Sequence, residues 1–263
     1  MINIGFVTYF PSKSFFLTLE NLKLSCGLRV IIIDNSADDT IHQNLTNFES
    51  KYENILIVLN DKNEGLAYGL NLLIKTSHDL CLATIIYFDQ DATITGDLLL
   101  KLSKYSTFSL KDKTAIVVPN NYDRNNHLNL PTTSEYIEIL LSISNGMVFN
   151  VPLLCSLNRL HDVSFFIDYV DFEFSLYLNS IGLKVLCATN VITFHSPGVQ
   201  LVSNIFGKSF RLLKYPAWRN KKQLLNRKVC WRRYYRHYPL WVLKDILDFV
   251  KDGIKEKILK IHH

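Results

Sequence analysis

Short apolar, β-branched runs alternate with longer stretches whose apolar residues recur at helical spacing, from the first residues to about Val118. The pattern predicts strands over 3–9, 29–33, 54–59 and 83–88, because each run is brief, unbroken and rich in Val, Ile or Leu. Between them 14–26, 39–52 and 66–76 read as helices, with Asp38 placed to cap the second. A helix over 96–105 and a strand over 114–118 continue the alternation. Strand–helix order this regular implies a mainly parallel sheet flanked by helices on both faces. After Pro119 the pattern loosens. Residues 120–133 are polar and rich in Asn, and read as a long loop. A strand is expected over 137–143, a turn at Ser144-Asn145-Gly146 and another strand over 147–150. Residues 168–181 have helical spacing, stopped by Gly182, and two short strands are expected over 184–187 and 191–194. Beyond Pro197 the chain turns basic, aromatic and helical. The expected organisation is an α/β domain over 1–200 and a helical C-terminal extension over 201–263.

Polar residues recur where the strands should end. Thr8 and Tyr9 follow the first strand, Asp34-Asn35-Ser36 the second, Asn63-Glu64-Gly65 the third and Asp89-Gln90-Asp91 the fourth. In a parallel sheet all these ends share one edge, and ligands of open α/β sheets bind there. Two carboxylates one residue apart, Asp89 and Asp91, suit a divalent cation, and such a cation can hold a diphosphate. An acid after the second strand suits a ribose hydroxyl or a base N–H. Gly65 allows close backbone approach before a helix N-terminus. Each of these residues alone also fits an ordinary turn; it is their shared edge that favours a nucleotide cleft.

A second cluster, Asp168, Asp171 and Glu173, sets three acids within an aromatic segment. First-turn acids favour a helix N-terminus, which accounts for Asp168. Asp171 and Glu173, two apart, point to different sides of a helix, so one of them faces protein or a cleft. A carboxylate with apolar neighbours can be raised in pKa and act as a general base. His195 ends the run Val-Ile-Thr-Phe-His, where structural and metal-contacting roles compete.

Composition narrows the class. The chain has 263 residues, 48% of them hydrophobic, enough to bury a full core. No run has the length of a membrane span, and no secretion signal is read at the start. Cys26, Cys81, Cys155, Cys187 and Cys230 have no Cys-x-x-Cys spacing and read as reduced cysteines of a cytoplasmic protein. The net charge of +5 is unevenly spread. Residues 1–173 carry 12 Lys+Arg and 20 Asp+Glu, while residues 174–244 carry 13 Lys+Arg and no acid. The basic stretch implies an anionic partner.

Taken in order, Asp34-Asn35-Ser36, Asn63-x-Gly65-x-Ala67-x-Gly69-x-Asn71, Phe88-Asp89-Gln90-Asp91, Ser144-Asn145-Gly146, Ile167-Asp168-Tyr169-Val170-Asp171-x-Glu173, His195-x-x-Gly198 and Arg219-Asn220 form a set. This set resembles the family 2 glycosyltransferases, inverting enzymes of GT-A fold, and within them bacterial rhamnosyltransferases of O-antigen and capsule assembly. The resemblance runs from residue 1 to about 225. It implies a donor site at Thr8, Asp34, Asn63, Gly65 and Asp89. It implies Mg²⁺ or Mn²⁺ on Asp89 and Asp91 with His195 assisting, and Asp171 as the base that deprotonates an acceptor hydroxyl. Asn145, Gly146, Asp168, Glu173 and Arg219 fall on the acceptor or diphosphate side. The family often carries Arg six residues after the base, where this chain has Tyr177. The implied donor is dTDP-rhamnose, with a UDP-linked hexose or galactofuranose as the alternative, and the implied acceptor is a lipid-linked glycan on the inner leaflet. A non-catalytic nucleotide- or polyanion-binding protein of the same fold is the competing reading, and intact Asp89, Asp91 and Asp171 favour the enzyme.

In the C-terminal part Trp231, Tyr234, Tyr235, Tyr238 and Trp241 interleave with arginines, and Leu240, Leu243, Leu247, Val250 and Ile254 fall at helical spacing after Pro239. Such a segment suits a peripheral position on a membrane surface, or a helix packed on its own domain or on a second copy in a homo-oligomer. The acidity of the first part argues against nucleic acid.

Overall fold

Strand and helix alternate as the hydrophobic pattern requires, through β1 (Ile2–Thr8), α1 (Lys13–Asn21), β2 (Leu28–Asp34), α2 (Asp39–Glu49), β3 (Ile55–Leu59), α3 (Leu66–Asp79), β4 (Thr84–Asp89), α4 (Gly96–Phe108) and β5 (Thr114–Asn121). Then come β6 (Tyr136–Glu138), β7 (Met147–Asn150), α5 (Val151–Cys155), α6 (Val170–Ser180), β8 (Lys184–Thr193), β9 (Gln200–Ile205), β10 (Lys208–Leu213), α7 (Ala217–Tyr234) and α8 (Pro239–Ile261). This computed structural model describes residues 1–22, 27–108, 113–121, 130, 134–193, 200–205, 208–213 and 215–261. The chain divides into two units, Met1–His195 and Ser196–His263.

The first unit is built on an eight-stranded sheet in the order β3-β2-β1-β4-β7-β5-β8-β6. β1 pairs in parallel with both β2 and β4, and β2 with β3. β7 runs antiparallel between β4 and β5, and β6 antiparallel on β8. The chain winds outward from β1 to β3 and then returns to β4 on the other side of β1. That reversal opens a crevice at the carboxyl ends of β1 and β4.

Alternate residues of each strand face opposite layers. Ile4, Phe6, Val30, Ile32, Ile86 and Phe88 join Phe15 and Leu19 of α1, Phe48 of α2 and Leu102 of α4 in one core layer. On the opposite face α3 lies close on β1. A side chain at Gly5 would strike Leu73, and one at Gly69 would strike Val7. The glycines therefore set the depth at which α3 sits. Asp38 caps α2 by accepting from the Ile41 N–H.

The structure departs from the hydrophobic pattern in four places. The strand expected over 137–143 is only Tyr136–Glu138. Beyond it, side chains of α6 replace a ladder partner: the Asn179 amide donates to the carbonyls of Ile139 and Leu140, and Ser175 Oγ accepts from the Ser142 N–H. The two strands expected over 184–194 are one strand, β8, whose pairing with β5 shifts register between Pro119 and Asn120. The short helix α5, capped by Asn150 and started by Pro152, was hidden in an apolar run too short to show a period. In the second unit, β9 and β10 form an antiparallel hairpin where helix was expected. Its Val, Ile and Phe residues flank Gly207, a hairpin signal masked by the basic composition. Most of the loop expected over 120–133 lies outside the described residues.

Candidate active site

Ladder register places the strand-end residues side by side. Thr8 is opposite Asp34, and Val7 is opposite Asp89. At the β1/β2 end, Asp34 is fully buried. Its Oδ1 accepts from the hydroxyls of Thr8 (2.7 Å) and Ser36 (2.9 Å), its Oδ2 accepts from the Ser36 N–H (2.9 Å), and His42 Nε2 lies 3.5 Å from Oδ2. The structure thus spends this carboxylate on fixing the edge of the crevice. At the β1/β4 end, Gln90 clamps Tyr9 by accepting from its N–H at 2.8 Å and donating to its carbonyl at 3.2 Å.

Asn63 Oδ1 accepts from the Gly65 N–H at 3.0 Å and shapes the turn before α3. Gly65 has φ +85, and a side chain there would fall within 2.6 Å of the carbonyl and ring of Phe166. The close approach that this glycine allows is made by Phe166, whose carbonyl also accepts from the Leu66 N–H at 2.7 Å. Asn35 ties the same turn to β2 by donating to the Gly65 carbonyl.

Asp89 is partly buried and Asp91 exposed. Asp89 is oriented by its neighbours: the Tyr87 hydroxyl donates to Oδ1 at 2.9 Å, and the Asp89 N–H donates to Asn145 Oδ1 at 3.3 Å. Gly146, at φ +79, brings its N–H to the Tyr87 carbonyl at 2.8 Å, and a side chain on it would meet the ring of Pro119. Asn145 and Gly146 thereby join β7 to the carboxyl end of β4.

Asp171 reaches the same place from the first turn of α6. Its Oδ2 accepts from the Ser144 N–H at 3.3 Å and its Oδ1 from the Phe172 N–H at 3.0 Å. Loss of hydration lifts its pKa to about 7; the nearby charge of Asp89 adds to the rise, and the backbone N–H groups of Phe172, Asp171 itself and Ser144 oppose it. Tyr87, one of the largest fully buried side chains, reports the same convergence. Burial raises its phenol most, followed by Asp89, Asp171 and Asp91. Carboxylates from two distant segments, Asp89 with Asp91 and Asp171, therefore act on one buried hydroxyl, with Asp89 in direct contact.

The backbone leading into α6 is strained. Asp168 and Tyr169 both take the left-handed conformation, at φ 62 each, costing about 1–3 kcal/mol apiece. Glu173 points away from Asp171, as their spacing predicts. It is 1% exposed and bound by Arg159 through both oxygens, at 2.7 and 3.1 Å. The guanidinium also lies 3.7 Å over the Tyr177 ring. Next to it, His161 is buried, stacks on Phe174 at 3.8 Å and meets Asn71 Oδ1 through its backbone N–H and Nδ1. Burial, aided by the Arg159 charge, lowers its pKa to about 3.

Tyr87, Arg159 and His161 were not among the residues singled out from sequence. Tyr87 alone left a signal: it stands two positions before Asp89 and shares its face of β4. His195 lies outside the described residues, and Arg219 stands in the second unit, with its guanidinium 4.2 Å from the Tyr215 ring.

Among the described residues no group of three or more His, Cys, Asp or Glu is arranged to hold a metal ion. Asp89 and Asp91 nevertheless offer carboxylate oxygens in a field of negative charge. That donor set fits a hard cation completing its shell with water and phosphate.

The family model for "Glycosyl transferase family 2" matches residues 18–159, more than half the chain. The chain belongs to glycosyl transferase family 2. This glycosyltransferase is 27% identical over 206 residues to "dTDP-rhamnosyl transferase RfbF" of Shigella flexneri, covering 73% of this chain and 68% of the relative. Among solved structures it resembles a mannosyltransferase of Pyrobaculum calidifontis in complex with GDP-Man and Mn²⁺ (TM-score 0.59, 15% identity, 74% of this chain and 56% of that one). It also resembles GalNAc-T7 with UDP, GalNAc and Mn²⁺ (TM-score 0.57, 15% identity, 74% and 43%) and S. aureus TarS (TM-score 0.55, 16% identity, 74% and 37%). The chain thus spans about half or less of the length of these solved proteins. They bear out the GT-A architecture, with its mixed eight-stranded sheet.

Proposed function

We propose that this glycosyltransferase moves rhamnose from dTDP-rhamnose to a hydroxyl of a lipid-linked surface-polysaccharide intermediate, with inversion at the anomeric carbon. The observation that carries the reaction is the convergence of Asp171, held near pKa 7, with Asp89 and Asp91 around Tyr87 at the sheet's switch point. The donor and acceptor rest on the 27% identity to a relative named as a dTDP-rhamnosyl transferase and on the resemblance of the ordered motifs.

Asp171 takes the proton of the acceptor hydroxyl as that oxygen attacks the anomeric carbon. The carbon–oxygen bond to the diphosphate breaks, and its electron pair leaves with the diphosphate. Attack from the face opposite the leaving group needs one base and no covalent nucleophile. A bound Mg²⁺ or Mn²⁺ supplies neutralisation of the charge that develops on the diphosphate, and Asp89 and Asp91 would hold it, with His195 as a further ligand. Tyr87 and Asn145 fix Asp89 for that task. Thr8 and Asp34 serve the nucleoside end by holding the end of β1. A direct contact of Asp34 with a base N–H replaces one of its present hydroxyl bonds. Asn63 and Gly65 shape the neighbouring turn. Asn145, Gly146 and Asp168 line the acceptor or diphosphate side, to which Glu173 contributes through Arg159.

A thermal-shift screen of nucleotide sugars, with and without Mn²⁺, tests this reading. A donor that binds only the folded state raises the melting temperature by mass action. dTDP-rhamnose with Mn²⁺ is expected to give the largest shift. A response confined to UDP-sugars would move the donor assignment, and no response to any nucleotide sugar would remove the catalytic reading. Asp171→Asn is expected to keep the shift and lose transfer.

A further inference from the structure

The second unit exposes more apolar surface than its own packing explains. Asn226, Cys230 and Tyr234 of α7 and Val242 of α8 are buried. Asp245 locks the pair, accepting from Trp231 Nε1 at 2.7 Å and lying 3.6 Å from Arg227, and Trp231 packs edgewise on Phe249. Outside this contact Leu240, Leu243, Leu247, Val250 and Ile254 follow one another three or four residues apart along α8. All are about half exposed or more, Leu240 at 81%. Lys244 and Lys251 are exposed along one flank of this stripe. α7 repeats the theme. Trp218, Leu225 and Val229 are exposed on one side of it. Lys221, Lys222, Lys228, Arg232 and Arg233 flank that side, and α7 has no acid.

We propose that α7 and α8 bind an anionic lipid surface, with the α8 stripe and Trp218 entering the acyl boundary and the α7 cations meeting headgroup phosphates. Apolar stripes flanked by Lys and Arg, with Trp at one end, divide their side chains between hydrocarbon and headgroup. Charge decides the occupant. Two copies meeting through α7 would set cations against cations, whereas a phosphate surface neutralises them. No described helix is long and apolar enough to cross a membrane, so the contact is one of lying on the surface. The inference deepens the lipid-linked acceptor proposed above but rests on different residues.

Co-sedimentation of the full chain with phosphatidylcholine vesicles, with and without phosphatidylglycerol, tests it. No sugar donor is present, so failure here leaves the transfer reaction standing, and failure of transfer leaves this standing. Binding is expected only to the anionic vesicles and is expected to weaken with salt. Leu243→Glu with Leu247→Glu, and separately Lys221→Glu with Lys228→Glu, are each expected to lower partitioning about tenfold or more. These positions are exposed, so the melting temperature and transfer to a soluble acceptor stay unchanged. Absence of binding to anionic vesicles overturns the proposal. So does a solution dimer that the leucine variant converts to monomer, because the stripe is then an interface between copies.

Discussion

Asp171 shows what burial does to a single carboxylate. Its pKa of about 7, against an ordinary 3.8, keeps it basic enough to take a hydroxyl proton yet ionised near neutrality. Transfer is therefore expected to rise with pH through about 7 and level off above it, as a pH–rate profile would show; a profile flat from pH 5 to 8 would remove Asp171 as the base. The same shift carries a stability cost. Between pH 3.8 and about 7 the folded state holds a proton that the unfolded state releases, so this group makes stability fall as pH rises across that window. Asp171→Asn is expected to abolish transfer while raising the melting temperature at neutral pH, measured without donor or divalent cation. Tyr87 acts one contact away, holding Asp89 through a 2.9 Å hydrogen bond. Tyr87→Phe is expected to weaken Mn²⁺ binding about tenfold, read by calorimetry, with about 1 kcal/mol lost in stability. Unchanged Mn²⁺ affinity would leave Tyr87 a packing residue only.

At the scale of elements, α6 is the part that must be held still, because it carries Asp171 on a turn entered through two left-handed residues. Arg159 and His161 hold it. Arg159→Ala leaves the Glu173 carboxylate, 1% exposed, without its bidentate partner, and is expected to cost about 3 kcal/mol in chemical denaturation. His161 links α6 to α3 in its neutral form. Its pKa of about 3 lies below the unfolded value of 6.5, so the unfolded state binds the extra proton and stability is lost as pH falls from 6.5 towards 3. Asp171 and His161 thus pull in opposite directions across overlapping windows. His161→Leu is expected to flatten the acid-side loss seen in melting curves, while Asp171→Asn steepens it. Neither Arg159 nor His161 stood out in the sequence. A lone His and a lone Arg in an irregular stretch carry no period, and their partners lie 14 and 90 residues away.

For the whole molecule, the order of strands builds the site before any ligand arrives. Thr8, Asp34 and Asp89 sit on neighbouring rungs of three parallel strands, and Asn145 comes in from the turn before the antiparallel β7. Chelation by EDTA is expected to stop transfer yet move the donor-free melting temperature by about two degrees or less. A large drop would mean that a cation holds the fold together. Within the acidic part, to residue 173, Asp34, Asp89, Asp91 and Asp171 stand at the strand ends and the start of α6, and within the basic part, to residue 244, seven of the cations lie on α7.

The amino-acid pattern alone determined the alternation of strands and helices to residue 118, the sheet edge on which the polar residues gather, Asp89 and Asp91 on that edge, and one of Asp171 and Glu173 as an inward-facing acid, between which the family resemblance chose Asp171. These are local facts: a β-branched run, a helical period and a carboxylate after a strand all lie within a few residues of one another. Tertiary structure decided the rest. It turned Asp34 inward onto Thr8 and Ser36, gave the space beside Gly65 to Phe166, turned residues 140–142 from the sheet onto α6, and set Tyr87 in the field of three acids. Each of those outcomes depends on which side chain reaches a buried polar group first, and that competition is settled between residues that the chain brings together only when the sheet closes.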